Sequence, residues 1–102
     1  MTFTVRFTEE ARDDLNRLYE FLLQQADGDF TTAERALQAI RDGITVLQLA
    51  PYSCRKARPD NPFLRELVIG FGASGYVALF DIEDNTTVTL LAVRHQREDD
   101  YH

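Results

Sequence analysis

The sequence predicts a small α+β domain of order β-α-α-β-β-β, a curved and mainly antiparallel sheet with a helical hairpin on one face. Three observations carry this. An alternating run opens the chain, two stretches of helical period follow with a link of only four or five residues, and after a proline-rich interval the period changes from helix to strand.

Phe3-Thr4-Val5-Arg6-Phe7 places Phe3, Val5 and Phe7 on one face of a first strand and Thr4 and Arg6 on the other. Thr8 stands where an N-cap is needed, and Glu9 and Glu10 follow in the positive first turn of a helix. Ala11, Leu15, Leu18, Tyr19, Leu22 and Ala26 recur at steps of three and four, while Arg12, Asp13, Asp14, Asn16 and Arg17 fall on the opposite face. This helix ends at Asp27-Gly28-Asp29.

Thr31 followed by Glu34 reads as a capping box, and Ala33, Leu37, Ile40, Ile44 and Leu47 sustain a second helix from about residue 32 to 49 until Pro51 forbids continuation. The short link predicts antiparallel packing of the two helices on a shared core. From Pro51 to Pro62 three prolines and no apolar period predict an irregular loop.

Residues 63 to 69 form the second predicted strand, closed by the glycine-rich turn 70 to 75. Tyr76 to Ile82 is the third, and its nearly unbroken apolar run suits a central position covered on both faces. A turn over Glu83-Asp84-Asn85-Thr86 leads to the β-branched fourth strand, residues 87 to 94. The remaining residues, 95 to 102, are polar. Residues 1 to 102 read as one domain with no internal repeat.

The chain has 102 residues and a hydrophobic fraction of 44%, enough for one core and too little for separate cofactor and substrate domains. Cys54 is the only cysteine, which excludes a disulfide framework and CxxC zinc sites, suits a reducing compartment and reads as an inert loop thiol. No signal peptide and no run long enough to cross a bilayer is present, so a cytoplasmic protein is expected. No glycine-rich nucleotide loop occurs, because the glycines near residue 72 lie between strands and never open a helix. His95, Asp99, Asp100 and His102 lack a fixed ligand spacing, and neither a metal nor a cofactor is expected.

The net charge of -6 opposes broad attraction to nucleic acid or anionic lipid. It is unevenly distributed. Residues 1 to 50 carry -4 and residues 66 to 102 carry -5, whereas residues 51 to 65 carry +3 from Arg55, Lys56, Arg58 and Arg65 against Asp60. This segment is either a solvated loop paired with nearby carboxylates or the place that draws a phosphate or an acidic partner. Strand pairing is expected to bring Arg65 into the sheet that carries Arg94, His95 and Arg97. If they converge, the imidazole offers general acid or base chemistry near neutral pH and the arginines stabilise phosphoryl charge, as metal-free RNA cleavage requires. Leu23, Phe30 and Phe71 lie off the main apolar stripes and fit either a docking surface or the edge of the core.

Several motifs in order then resemble the RelE/ParE superfamily of bacterial toxins. They are Phe7-Thr8-Glu9-Glu10-Ala11 with Asp14-Leu15, Leu47 to Pro51, Arg65-Glu66-Leu67, and Gly75-Tyr76-Val77. Most specific is Val93-Arg94-His95-Gln96-Arg97-Glu98 with Tyr101, which is similar to the ParE and plasmid-stabilisation branch. The resemblance covers nearly the whole chain. It implies a cytoplasmic toxin neutralised in a hetero-oligomer by a cognate, ParD-like antitoxin.

Two activities are found within that superfamily. RelE-like members cut messenger RNA on the ribosome and are usually rich in Lys and Arg; ParE-like members inhibit DNA gyrase and are not nucleases. This chain departs from the nuclease pattern in its acidity, its single lysine, and Val77 where many basic members carry Arg. The ParE reading is therefore favoured, and it makes Arg55, Lys56, Arg58, Arg65, Arg94, His95 and Arg97 candidate partner contacts. On the RelE reading Arg65, His95, Arg97 and Tyr101 become the candidate nuclease site. A third reading is a degenerate toxin that only binds its antitoxin.

Overall fold

A computed structural model describes residues 2–25, 30–71 and 74–96. Strand β1 spans Thr4–Phe7, helix α1 Glu9–Gln25 and helix α2 Phe30–Leu49. A 3-10 turn over Pro51–Ser53 leads to β2 at Arg55–Arg58, then β3 at Asn61–Phe71, β4 at Ser74–Ile82 and β5 at Thr87–His95. The five strands form one sheet of order β1-β5-β4-β3-β2, in which β1 runs parallel to β5 and every other pair is antiparallel.

The α+β class and the central place of the run 76 to 82 stand as expected, since β4 lies between β3 and β5. One element differs. The interval 51 to 62 contains a fifth strand, β2, paired with β3 through Arg55↔Glu66 and Lys56↔Arg65 and bulged before Arg58↔Asn61. Arg-Lys-Ala-Arg shows no apolar alternation because an edge strand is held by backbone pairing and by neither face of a core.

Helix α1 starts where Thr8 predicts, its Oγ1 accepting a hydrogen bond from the Ala11 amide at 3.1 Å. Its predicted end at residues 27 to 29 lies outside the described residues. Helix α2 begins at Phe30, so Thr31 and Glu34 sit inside its first turns and not at an N-cap as the capping-box reading placed Thr31. Helix boundaries shift by a residue or two more easily than the periodic face does. Its end at Leu49 is as expected: Ala50 leaves helical geometry with φ -151° and ψ 63°, and Pro51 follows.

Both helices pack on one face of the sheet. Ala11, Leu18, Ala36, Ile40 and Leu47 meet Ile69 of β3, Tyr76, Ala78, Phe80 and Ile82 of β4, and Val88, Leu90 and Val93 of β5 in a single buried cluster. Gly43 allows α2 to lie close to β3: a Cβ there would stand 2.9 Å from Ile69 Cγ1 and 3.1 Å from Leu67 Cδ2. A bulge in β5 pairs Phe80 with Leu90 but Leu79 with Ala92, making Leu91 the extra residue. By that insertion Val88, Leu90 and Val93 all reach the core, which strict alternation would deny to Val93.

Strand β1 ends opposite Leu90, leaving the edge of β5 beyond it without a strand partner. Helix α1 serves it instead. The Leu90 carbonyl accepts from the Thr8 amide at 3.1 Å, the Leu91 carbonyl from Thr8 Oγ1 at 3.3 Å, and the Val93 amide donates to Asp14 Oδ2 at 3.0 Å. Asp14 is accordingly the one buried charged side chain among the described residues, a correction to its expected place on the polar face. Its spacing from Ala11 and Leu18, three and four residues, puts it on the buried stripe, and the open β5 edge supplies the donor that a buried carboxylate needs.

Candidate functional site

The candidate residues fall into two groups at opposite ends of the sheet. At one end Arg65, on β3, is half-buried, and two of its three guanidinium nitrogens bind backbone carbonyls. Its Nε donates to the Pro62 carbonyl at 2.7 Å, and its Nη1 donates to the carbonyls of Tyr52 and Cys54 at 3.2 and 2.8 Å. Its guanidinium also lies 5.4 Å from the centroid of the Tyr52 ring. The planar fork suits this work: it gathers the Tyr52 carbonyl of the 3-10 turn, the Cys54 carbonyl just after it and the Pro62 carbonyl of its own strand, and so ties that turn to the sheet.

Arg55 is paired across the strands with Glu66, Nε to Oε1 at 3.1 Å. Lys56 and Arg58 are exposed on the same edge strand. Cys54 is buried beneath the turn, and burial pushes its thiol upward from its ordinary pKa, opposed by a hydrogen bond with Ser53 and by the Arg65 charge. The inert reading of this thiol fits a group so placed.

At the other end Arg94 forms an ion pair with Asp14, and its Nη1 also donates to the Val93 carbonyl at 3.3 Å. His95 is half-buried opposite Tyr76, with its ring edge-on to that of Tyr76 at 5.6 Å between centroids and 87° between planes. Tyr76 in turn stacks on Phe71 at 6.4 Å. Phe71 thus belongs to the edge of the core, one of its two expected alternatives, and Leu23 is half-buried. The side chain of Phe30, and Arg97 and Tyr101 entirely, lie outside the described residues.

Arg65 and His95 do not converge. Arg65 stands opposite Phe80 and His95 opposite Tyr76, so they are two strands and four residues apart. At about 4.8 Å per strand and about 3.3 Å per residue that is roughly 16 Å. The shared cationic surface expected from strand pairing is absent for these two residues because register, which the sequence leaves open, sets them at different levels of the sheet.

The helix-free face between the two groups carries the rows Leu64, Asp81, Thr89 and Glu66, Leu79, Ala92. Burial on this face, and secondarily the Glu83 carboxylate, raise the pKa of Asp81. Among the described residues the exposed large apolar side chains are Phe21, Val46, Leu49, Tyr52, Phe63 and Val68, and an open groove between the helices is lined by Tyr19, Glu34, Leu37, Gln38 and Arg41. Among the described residues no group of three or more His, Cys, Asp or Glu is placed to hold a metal ion. Among the same residues no helix is long and apolar enough to cross a membrane. Sequence reasoning overlooked Asp14 and Tyr52 as the partners of Arg94 and Arg65; only the helical spacing of Asp14 carried a signal.

A five-stranded open sheet with two helices on one face, with Arg65 and Arg94 tied to the backbone and to Asp14 and with Arg55 and Arg58 exposed on its edge, defines a small α+β scaffold that presents surfaces and edges. A solved structure described as the chromosomal ParDE TA system from P. aeruginosa shares this fold, with a TM-score of 0.70 at 18% identity over 91% of this chain and 95% of that chain. Residues 5–100 match the family model for the ParE toxin of type II toxin-antitoxin systems, parDE, and the chain belongs to that family. No curated protein matches it.

Proposed function

We propose that this chain is the toxin of a type II module that inhibits DNA gyrase. It acts in the cytoplasm without a cofactor and is held silent by a cognate ParD-like antitoxin in a hetero-oligomer. Membership of the ParE toxin family supports the reading. The observation that carries it against RNA cleavage is Arg65, whose guanidinium serves three backbone carbonyls and stands roughly 16 Å from His95. A general acid or base and the cation that stabilises its phosphoryl group must share one reacting centre. The net charge of -6 also disfavours ribosomal RNA as a docking surface.

On this reading Arg55, Lys56, Arg58, Arg65, Arg94, His95 and Arg97 act through surfaces or through folding, with no catalytic role. The test is supercoiling by purified gyrase as the protein is titrated in, beside cleavage of messenger RNA on translating ribosomes. Loss of supercoiling with intact RNA is expected, reversed by co-expressed antitoxin. Cleaved RNA with unaffected gyrase overturns the reading and returns Arg65, His95, Arg97 and Tyr101 to the nuclease site. No effect in either assay leaves a protein that only binds its antitoxin.

A further inference from the structure

The positive segment around β2 folds into a surface where cations and aromatic rings meet. Lys56 of β2 stands directly opposite Arg65 of β3, and Arg65 stands opposite the buried Phe80, so both cations lie on the side of the sheet that carries the helices. Like charges directly opposite across two strands, with Cβ atoms about 4.5–5.5 Å apart, are destabilising until an anion lies between their heads. Neither meets a carboxylate among the described residues, because the neighbouring pair, Arg55 and Glu66, faces the other side and holds together there. Arg65 Nη2 donates to no described residue, since Nε and Nη1 make its bonds to the carbonyls. Arg58, two residues beyond Lys56, is exposed, and neither it nor Asp60, the single acid of residues 51 to 65, forms an ion pair among the described residues.

The rings decide which anion fits. The Arg65 guanidinium lies 5.4 Å from the centroid of the Tyr52 ring, yet Tyr52 stays 49% exposed, which leaves its other face to solvent. Phe63, two residues before Arg65, is equally exposed. Inorganic phosphate or a run of carboxylates satisfies the cations and leaves both rings bare. A duplex hides its bases in the stack, and the flanking segments, at -4 and -5, repel so dense a line of charge. A single strand brings a few phosphates together with unstacked bases, whose π-faces pack on aromatic side chains without regard to sequence.

We propose that Tyr52, Lys56, Arg58, Phe63 and Arg65 form a binding site for a short stretch of single-stranded nucleic acid. One phosphate bridges Lys56 and Arg65, a neighbouring phosphate meets Arg58, and a base stacks on the open face of Tyr52 with Phe63 as a second platform. The strand is held and not cut, because His95 stands roughly 16 Å from Arg65. With three cations in a chain of net charge -6, the contact is short and sensitive to salt. The inference is independent of whether gyrase is the cellular target.

Titration of the full chain into fluorescent oligothymidylate and oligouridylate, each about ten nucleotides long, tests it by anisotropy. At least one of them is expected to bind, with log K falling against log salt at a slope of about -2, from about -0.7 for each of three cations. The double variant Lys56→Gln, Arg58→Gln, whose exposed positions leave folding intact, should reduce that slope to about -0.7. Tyr52→Ala should weaken binding about fivefold or more while Tyr52→Phe keeps it, and the amide resonances that shift should lie within residues 52 to 65. The proposal is overturned if neither oligonucleotide binds at low salt, if the double variant keeps the slope, if Tyr52→Ala keeps full affinity, or if the shifts fall on another surface. Oligoglutamate of the same length that competes with equal affinity reduces the site to charge alone, and tighter binding of a duplex reassigns it to the phosphate backbone; either also overturns it.

Discussion

Replacing Asp14 tests how the open edge of β5 is sealed. Its carboxylate accepts from the Val93 amide at 3.0 Å and pairs with Arg94, with side-chain exposures of 11% for Asp14 and 22% for Arg94. Asp14→Ala leaves a buried N–H without a partner, about 1–3 kcal/mol, and strips a mostly buried guanidinium of its counter-charge. Breaking a fully buried pair costs about 3–5 kcal/mol, and the partial exposure of Arg94 lowers that share, so a total near 3 kcal/mol is expected. The 3.9 Å approach of Arg17, whose side chain is 49% exposed, adds little. For a domain of this size that corresponds to a fall in Tm of about 15 °C. Asp14→Asn keeps an acceptor for Val93 and loses only the charge, about 1–1.5 kcal/mol. Urea unfolding of Asp14→Asn, Arg94→Met and the double variant should give a coupling of about 1–2 kcal/mol, and the Val93 amide should exchange quickly in Asp14→Ala. Additive single losses, or a cost below about 1 kcal/mol for Asp14→Ala, would refute the account of Asp14 as the substitute for a missing strand partner.

Arg65→Ala should lower stability by about 1–3 kcal/mol and Arg65→Lys by less, read as thermal unfolding, because the turn at residues 51 to 53 loses its anchor; unchanged stability would restore a purely catalytic or contact role. Gly75→Ala should cost at least about 3 kcal/mol in the same assay, since its Cβ would lie 1.9 Å from the Ile69 carbonyl oxygen, and a variant of normal stability contradicts that packing. Cys54 should resist a thiol reagent at pH 8 in the native protein and react once urea unfolds it, because burial both shields the sulfur and raises its pKa. Asp81 has a folded pKa raised above its ordinary 3.8, so the folded state binds the proton more tightly and stability falls as pH rises from that value through the raised one. Asp81→Asn should remove that fall, its advantage over the parent protein growing across the window and flat above it; an advantage present at pH 3 would be inconsistent.

The elements that bury a face were legible because burial writes a period into the chain. Thr4–Phe7, the stripe from Ala11 to Leu22 and the β-branched run ending near Arg94 each declare one face or both. β2 was not legible, since its four residues are selected by edge exposure and backbone pairing and leave no apolar trace. The candidate site was legible as residue types and not as an arrangement. Arg65 and His95 stand in the right sheet, but register sets them apart, and nothing near Arg65 in the chain reveals that carbonyls thirteen and eleven residues earlier would claim its guanidinium. Asp14 shows the same limit from the other side: a helix position dictates burial, while the donor that makes the burial tolerable lies 79 residues away at Val93.

The parallel pairing of Thr4–Phe7 with Thr87–Leu90 has a consequence for biosynthesis. β1 is made long before β5 and pairs only with it, so it has no strand partner until residues 87 to 90 have been made. Contacts of such long sequence separation slow folding and leave the helical hairpin to wait with its apolar face uncovered. A product truncated before residue 87 lacks the strand that β1, α1 and β4 all require. Synthesis of β5 is therefore itself the step that gives β1 its place in the sheet.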